Sequence, residues 1–225
     1  HVFDLASGQV RSEVLDAHEG PVHSIRARPH GGMGIISGSG DKTVKFWDVD
    51  LRGEQDLVLA RTLKLAEDVQ LASFTKAKVA RQLKVLVATL DNTVKIFHDD
   101  SLEFSLSLYG HKLPVLCMDA SDDDVLLVTG SADKTIKIWG MDFGDCRRSL
   151  VAHEGSVTSV VFAPKTHYVF SCGRDGRVRF WDADRFERVT TFEPAHVGGD
   201  AWSLAISHDA STLVSVGKDR AIQVW

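Results

Sequence analysis

Thr129-Gly-Ser-Ala-Asp133-Lys-Thr-Ile-Lys-Ile-Trp139 is the stretch on which the fold turns. Its second half alternates polar and apolar residues with the two-residue period of a strand. Its first half carries the Gly, Ser and Asp that make a turn. The same pattern returns four times along the chain. The copies are Ser37-Gly-Ser-Gly-Asp41-Lys-Thr-Val-Lys-Phe-Trp47, Val87-Ala-Thr-Leu-Asp91-Asn-Thr-Val-Lys-Ile-Phe97, Ser171-Cys-Gly-Arg-Asp175-Gly-Arg-Val-Arg-Phe-Trp181 and Ser215-Val-Gly-Lys-Asp219-Arg-Ala-Ile-Gln-Val-Trp225. In all five the aspartate stands six residues before the aromatic, and successive aspartates are 50, 42, 42 and 44 residues apart. A shorter trace, Val2-Phe3-Asp4, matches the end of the pattern. Upstream of four copies stands a histidine after Gly or Ala: His18, His111, His153 and His196.

A period of about 40–45 residues with these signatures is that of WD40 repeats. The expected fold is therefore all-β, a β-propeller segment of about five blades spanning 1–225. Each blade is a four-stranded antiparallel sheet arranged radially about a channel. The apolar runs Val22 to Ala27, Val115 to Met118 and Val157 to Phe162 follow a histidine and should be innermost. Turns are expected at Gly38 to Asp41, Ser121 to Asp124 and Arg174 to Gly176. No sustained 3.6-residue stripe occurs, so almost no helix is expected. The connection from Asp50 to Arg61 reads as long and charged. The second repeat departs most: it lacks the histidine, and has Val87 and Phe97 where others have Ser or Thr and Trp. Its Lys76, Lys78, Arg81 and Lys84 read as a solvated basic loop, with an RNA or acidic-partner contact as the alternative.

The bulk composition narrows the function. An apolar share of 44% over 225 residues suffices for a sizeable core. With 26 basic and 31 acidic residues the net charge is −5, which disfavours charge-driven RNA binding by the chain as a whole. Cys117, Cys146 and Cys172 are odd in number and lack C-x-x-C spacing, so neither a disulfide framework nor a zinc site is indicated. A reducing compartment fits them better. No apolar run reaches membrane-helix length and no signal peptide is seen. Both ends of the sequence look cut.

Repeated His, Ser/Thr and Asp invite a hydrolase reading. The sets are His18, Ser37, Asp41; His111, Thr129, Asp133; His153, Ser171, Asp175; and His196, Ser215, Asp219. Each keeps step with a tryptophan: Trp47, Trp139, Trp181 and Trp225. A triad needs one exposed nucleophile beside an oxyanion hole, and four equivalent active sites make no sense. The better reading is a buried chain of hydrogen bonds, Trp to Ser/Thr to His to Asp, that pins two loops together. Asp142-Phe143-Gly144 copies a kinase triplet but lacks that family's other motifs, and a turn is due there. No metal-ligand spacing and no phosphate-binding loop occur, so no catalytic residue, cofactor or metal is expected. What remains is surface. Lys42, Lys134, Arg174, Lys218 and Arg220 flank the repeat aspartates on one face. Trp202 replaces His23, Leu116 and Thr158 near the channel mouth. An aromatic among basic groups suits a partner anchor.

Several stretches are more specific than the general repeat. Leu90 to Phe97, Ser107 to Leu116, Ser131 to Cys146, Ser149 to His153 and Phe180 to Glu187 resemble the Dip2-type WD-repeat subunits of the UTP-B complex, within the nucleolar small-subunit processome. The likeness runs from about Arg61 to Trp225; the earlier residues match only the general repeat. The resemblance implies two tandem seven-bladed propellers and a C-terminal helical domain in the full protein, of which this chain is most of the second propeller. It implies a non-catalytic scaffold that helps assemble the U3 small nucleolar ribonucleoprotein on pre-ribosomal RNA for processing of the 18S precursor. Expected partners are other protein subunits of that assembly, with any U3 RNA or pre-rRNA contact indirect or local. No membrane or small-molecule substrate is implied. A generic WD-repeat adaptor, such as a ubiquitin-ligase substrate receptor or signalling scaffold, is the competing reading.

Overall fold

The computed structural model describes residues 1–50, 56–76, 83–193 and 195–225. Among them every regular element is a strand. A short hairpin of β1 (Val2–Phe3) and β2 (Val10–Ser12) comes first. The first blade comprises β3 (Val22–Ala27), β4 (Gly34–Ser39), β5 (Thr43–Val49) and β6 (Leu57–Lys64). The second comprises β7 (Val69–Phe74), β8 (Lys84–Thr89), β9 (Val94–His98) and β10 (Phe104–Leu108). The third holds β11 (Val115–Ala120), β12 (Leu126–Ser131), β13 (Thr135–Gly140) and β14 (Cys146–Val151). The fourth holds β15 (Val157–Phe162), β16 (Tyr168–Gly173), β17 (Val178–Asp182) and β18 (Glu187–Phe192). The fifth has β19 (Ala201–Ile206), β20 (Leu213–Gly217) and β21 (Ile222–Val224). Within each blade, consecutive strands pair antiparallel in sequence order. This is the five-bladed propeller arrangement that the aspartate spacing predicts.

First strands meet first strands, which puts them innermost. Ser24 Oγ accepts from the Ala72 amide at 2.9 Å, and Thr158 Oγ1 donates to the Ala201 carbonyl at 2.6 Å. The core lies between blades rather than within one. Ile36, Val44 and Phe46 of the first blade pack on Val69, Phe74 and Val85 of the second. Val128, Ile136 and Ile138 of the third pack on Val157, Phe162 and Trp181 of the fourth. Gly38 and Gly130 permit this approach. A Cβ on Gly38 would sit 2.7 Å from Val69 Cγ1, and one on Gly130 would sit 2.6 Å from Val157 Cγ1. At the first blade's outer side the counterparts have no cover: Val22 is 45% and Ile25 55% exposed, whereas Val69 and Val157 are 0%.

Two expectations need correction. The connection read from Asp50 to Arg61 ends sooner, because β6 starts at Leu57 and pairs with β5. Asp56 is buried and meets Arg11 Nε at 2.8 Å; residues 51–55 lie outside the described set. The turn assigned to Gly38–Asp41 sits slightly later, since Gly38 and Ser39 belong to β4. The residue after each repeat aspartate carries the left-handed conformation: Lys42, Asn92, Lys134, Gly176 and Arg220, at φ of 67°, 69°, 71°, 72° and 64°. Asp142-Phe143-Gly144 forms the turn between β13 and β14, with Phe143 exposed and Gly144 at φ 72°.

The far ends of the blades carry an acidic clasp. Asp119, on β11, meets Lys76 Nζ at 2.6 Å and accepts the Phe162 amide at 2.8 Å, so it touches the second and fourth blades at once. The turn after it repeats the theme. Asp124 accepts the Lys76 amide at 2.7 Å and Asp122 the Lys165 amide at 2.8 Å. Burial pushes the Asp119 carboxyl above its ordinary value, and the Lys76 ammonium pulls against that.

Candidate functional site

The histidines precede the first strands and the aspartates occupy the turns between second and third strands. Both therefore fall on one end of the blades, the histidine face. In the third blade Trp139 Nε1 donates to Thr129 Oγ1 at 2.8 Å, and Thr129 Oγ1 lies 2.7 Å from His111 Nε2. His111 Nδ1 is 2.9 Å from Asp133 Oδ2. In the first blade Trp47, Ser37, His18 and Asp41 follow at 2.8, 2.7 and 2.8 Å. In the fourth, Trp181, Ser171, His153 and Asp175 follow at 2.8, 2.9 and 2.8 Å. In the fifth, Trp225, Ser215, His196 and Asp219 follow at 3.1, 2.9 and 2.9 Å.

One proton arrangement satisfies each chain: Trp N–H to hydroxyl, hydroxyl to Nε2, Nδ1–H to carboxylate. Burial pushes the imidazoles of His111 and His153 below the ordinary histidine value, against the pull of Asp133 and Asp175, which fits that neutral form. Burial alone would raise the carboxylates. The Thr135 hydroxyl, the Lys112 amide and His111 outweigh it and hold Asp133 at about 2. Asp41 and Asp175 are held well below the usual carboxylate range by the same kinds of donor. In the fourth blade the buried Arg179 adds an ion pair to Asp175 at 3.0 Å. The hydroxyls of Ser37, Thr129, Ser171 and Ser215 are buried and already accept a tryptophan N–H. A nucleophile needs the opposite: exposure and an acceptor site free for the reaction. The arrangement ties the loop before each first strand to the turn beside it.

The second blade solves the same place differently. His18, His111 and His153 each stand four residues before the valine that opens the first strand, and Leu65 stands four before Val69. The Leu65 amide bonds to Lys42 O, as the His153 amide bonds to Lys134 O. Leu65, Val87 and Phe97 thus replace histidine, hydroxyl and tryptophan together, and all three pack in one apolar cluster. Counting back from Val69 would have found Leu65; a search keyed to histidine missed it. Asp91 remains, and takes donors from its own hairpin: Thr89 Oγ1 at 2.6 Å, Thr93 Oγ1 at 2.7 Å, the Thr93 amide at 3.2 Å and Lys95 Nζ at 3.3 Å.

The residues picked as partner surface are all exposed on the histidine face. Lys42 Nζ donates to the Ala66 carbonyl at 3.0 Å, and Arg174 Nε lies 3.9 Å from Asp200. The side chains of Lys134, Lys218 and Arg220 have no partner among the described residues. Trp202 sits second in β19 and is exposed. The basic loop gives less than its sequence suggests. Lys76 is spent on Asp119, and Lys84 Nζ reaches the Met141 carbonyl at 3.5 Å. Lys78 and Arg81 lie outside the described residues. Among the described residues no group of three His, Cys, Asp or Glu side chains could hold a metal, and Cys117, Cys146 and Cys172 are all free.

With this geometry in place, comparison with known proteins is specific. A family model described as the WDR3 second beta-propeller domain matches residues 1–225, so the first sixty residues belong with the rest and do not match the general repeat alone. WD repeat-containing protein 3 homolog of Dictyostelium discoideum is 45% identical over 52% of this chain and 13% of its own length. Human WD repeat-containing protein 3 is 44% identical over 51% of the chain and 12% of its own length. U3 small nucleolar RNA-associated protein 12 of Saccharomyces cerevisiae is 42% identical over 52% and 13%. The matched part thus spans about an eighth of these relatives. The chain belongs to the WDR3 second β-propeller family of WD-repeat domains.

Proposed function

We propose that the chain is a non-catalytic assembly scaffold of the nucleolar small-subunit processome, acting in 18S pre-rRNA processing. The observation that carries this is the 42% identity to a relative named for association with U3 small nucleolar RNA. The sequestered hydroxyls support the non-catalytic part, since they leave no nucleophile at the repeated His/Ser/Asp sets. Its partners are other subunits of a UTP-B-like complex. They contact the histidine face through Lys42, Lys134, Arg174, Trp202, Lys218 and Arg220. The uncovered side of β3 fits a segment of a larger closed ring, of which further blades complete the circle. A net charge of −5 makes protein contacts dominant over RNA contacts.

Sedimentation of the full-length protein tests the reading. It should travel with large pre-ribosomal particles that contain U3 RNA and sibling subunits, and its depletion should lower mature 18S RNA while sparing large-subunit RNAs. A particle without U3 RNA overturns the proposal and returns the chain to the general class of WD-repeat adaptors.

A further inference from the structure

Asp142-Phe143-Gly144 joins the third strand of its blade to the fourth, so it lies at the end of the blade opposite the histidine face. Two other hairpins close with the same pair of bonds. The Gly144 amide donates to the Gly140 carbonyl at 3.0 Å and the Gly140 amide to the Asp145 carbonyl at 2.9 Å. The Leu102 amide to the His98 carbonyl and the His98 amide to the Glu103 carbonyl follow at 2.9 and 3.0 Å. The Gly8 amide to the Asp4 carbonyl and the Asp4 amide to the Gln9 carbonyl follow at 2.8 and 2.9 Å. The left-handed residues of these turns are Gly8, Leu102, Gly144 and, in the fourth blade, Phe186, at φ of 68°, 57°, 72° and 57°. Just before them stand Ser7, Ser101, Phe143 and Arg185. An aromatic thus holds a place that is polar in the other three turns. It is 90% exposed, the most exposed aromatic among the described residues. The inward place beside it is already filled. Leu102 and Phe186 pack into the clusters between blades, whereas a Cβ on Gly144 would sit 3.1 Å from Leu106 Cδ1 and 3.2 Å from Leu108 Cδ2. The second and fourth blades on either side each have all four strands, so no missing neighbour explains the exposure.

The ring stands on a fixed base. Met141 is buried between the second and third blades, and its amide donates to the Val125 carbonyl at 3.0 Å. An aromatic held on such a turn brings area to a contact and loses little freedom in making it. Charge narrows the partner. Arg147 Nε lies 3.8 Å from Asp145, and Lys84 Nζ reaches the Met141 carbonyl at 3.5 Å. Asp142 is exposed and has no partner among the described residues, so the open group beside Phe143 is a carboxylate. We propose that Phe143 inserts into an apolar pocket of another protein, with a lysine or arginine at the lip of that pocket to meet Asp142. A single protruding ring calls for a concave partner, and an unpaired carboxylate calls for a cation. Stacking on an unpaired base is the other use of an exposed aromatic. Such stacking sites stand in basic grooves, whereas Asp142 and Asp145 flank this one and repel phosphate. The inference rests on the scaffold reading and adds a contact at the other end of the blades.

Photo-cross-linking of the full-length protein in cells tests it, with p-benzoylphenylalanine placed at 143 and, as controls, at 101 and 185. Position 143 should give one dominant cross-link, to a single peptide of one other protein that carries apolar residues and a lysine or arginine. The controls should not give it. That protein, once purified, should bind the full-length chain about tenfold or more weakly in Phe143→Ser, which installs the residue of the second blade, and in Asp142→Lys. The urea midpoint of Phe143→Ser should stay at the parent value. Absence of a dominant cross-link at 143, or the same cross-link from 101 and 185, overturns the proposal. Unchanged affinity in Phe143→Ser overturns it as well, and a lowered midpoint shows that the ring serves the fold instead. A cross-link to RNA overturns it in favour of base stacking, and one to another part of the same chain in favour of an internal contact. Co-sedimentation of the wild-type protein with U3 RNA is scored separately. If it persists while the cross-link fails, only the Phe143 anchor falls. If it fails while the anchor finds its protein, the scaffold reading falls and the contact stands.

Discussion

The second and third blades share a strand plan and solve one interior position in opposite ways. The third fills it with Trp139, Thr129 and His111 in a hydrogen-bonded line ending on Asp133. The second fills it with Phe97, Val87 and Leu65, and leaves Asp91 to its own hairpin. No intermediate occurs: all three buried polar residues are present, or all three are absent. The reason is that each polar member needs the next. A hydroxyl without its histidine, or an indole N–H without its hydroxyl, is a buried group with no partner. The network therefore specifies a loop position; a leucine of suitable shape holds the same loop by packing.

The largest effect should come from breaking the line in its middle. Thr129→Val strands both Trp139 Nε1–H and His111 Nε2 in a buried site. Two such orphans should destabilise by about 2–5 kcal/mol. Carrying the whole second-blade set across, as His111→Leu with Thr129→Val and Trp139→Phe, should recover most of that loss, to within about 1.5 kcal/mol of the parent. Urea melts followed by far-ultraviolet circular dichroism compare the two. A triple variant less stable than the single one breaks the all-or-none argument.

The aspartates come next. Asp133→Ala removes an acceptor shared by His111, Thr135 and the Lys112 amide, and should cost about 1.5–3 kcal/mol. Asp91→Ala loses contacts within its own hairpin, where the buried Thr89 and Thr93 hydroxyls remain 3.1 Å apart to bond each other. It should cost about 1 kcal/mol or less. Equal losses would remove the basis for distinguishing the two blades. Loss of function at Asp133 with an unchanged midpoint would revive a catalytic reading.

Acid should separate them as well. His111 and His153 have lowered values in the fold, so the unfolded chain takes up protons first as pH falls below the ordinary 6.5. Their stability is present above about that pH and drains away beneath it. Asp133, held at about 2 against an ordinary 3.8, contributes a second loss as pH falls from near 4 toward 2. The triple apolar variant should show a shallower fall between pH 7 and 5 than the parent, while His153 keeps its share. Identical slopes would mean that burial of His111 carries no acid sensitivity.

Much of this was legible from residue order. Five aspartates in fixed step with five aromatics announce a periodic backbone, and the inner strands Val22–Ala27 and Val157–Phe162 fall where the apolar runs lie. Local pattern suffices there because each blade repeats one local solution. Leu65 was not found by residue type, since it keeps the place of a histidine and none of its chemistry. The Lys76–Asp119 pair was invisible for another reason. It joins residues 43 apart in sequence, and only the packing of blades brings them together. A lysine in a basic loop looks solvated until a neighbouring blade supplies a carboxylate.

The smallest effect concerns the turns, and the same two blades supply the contrast. The residue after the repeat aspartate is left-handed in every blade: Lys134 has φ of 71° and Asn92 of 69°. A side chain with a Cβ is strained there by about 1–2 kcal/mol, less for asparagine, and glycine is not strained. The fourth blade already uses Gly176, at φ 72°. Glycine also gives the unfolded chain more freedom, which offsets about 0.5–1 kcal/mol of the gain. Lys134→Gly removes an exposed side chain without a partner among the described residues, and keeps the carbonyl that receives the Ala152 and His153 amides. It should stabilise by about 0.5 kcal/mol. Asn92→Gly starts from a residue that tolerates the conformation and loses the bond to the Lys112 carbonyl, so it should be neutral or slightly destabilising. Both differences are near the limit of urea melts, so several independent melts of each variant are needed. A gain at Asn92 that matches the gain at Lys134 would show that side-chain type does not matter at this turn. A loss at Lys134 would show that its side chain makes a stabilising contact on the histidine face that the geometry does not reveal.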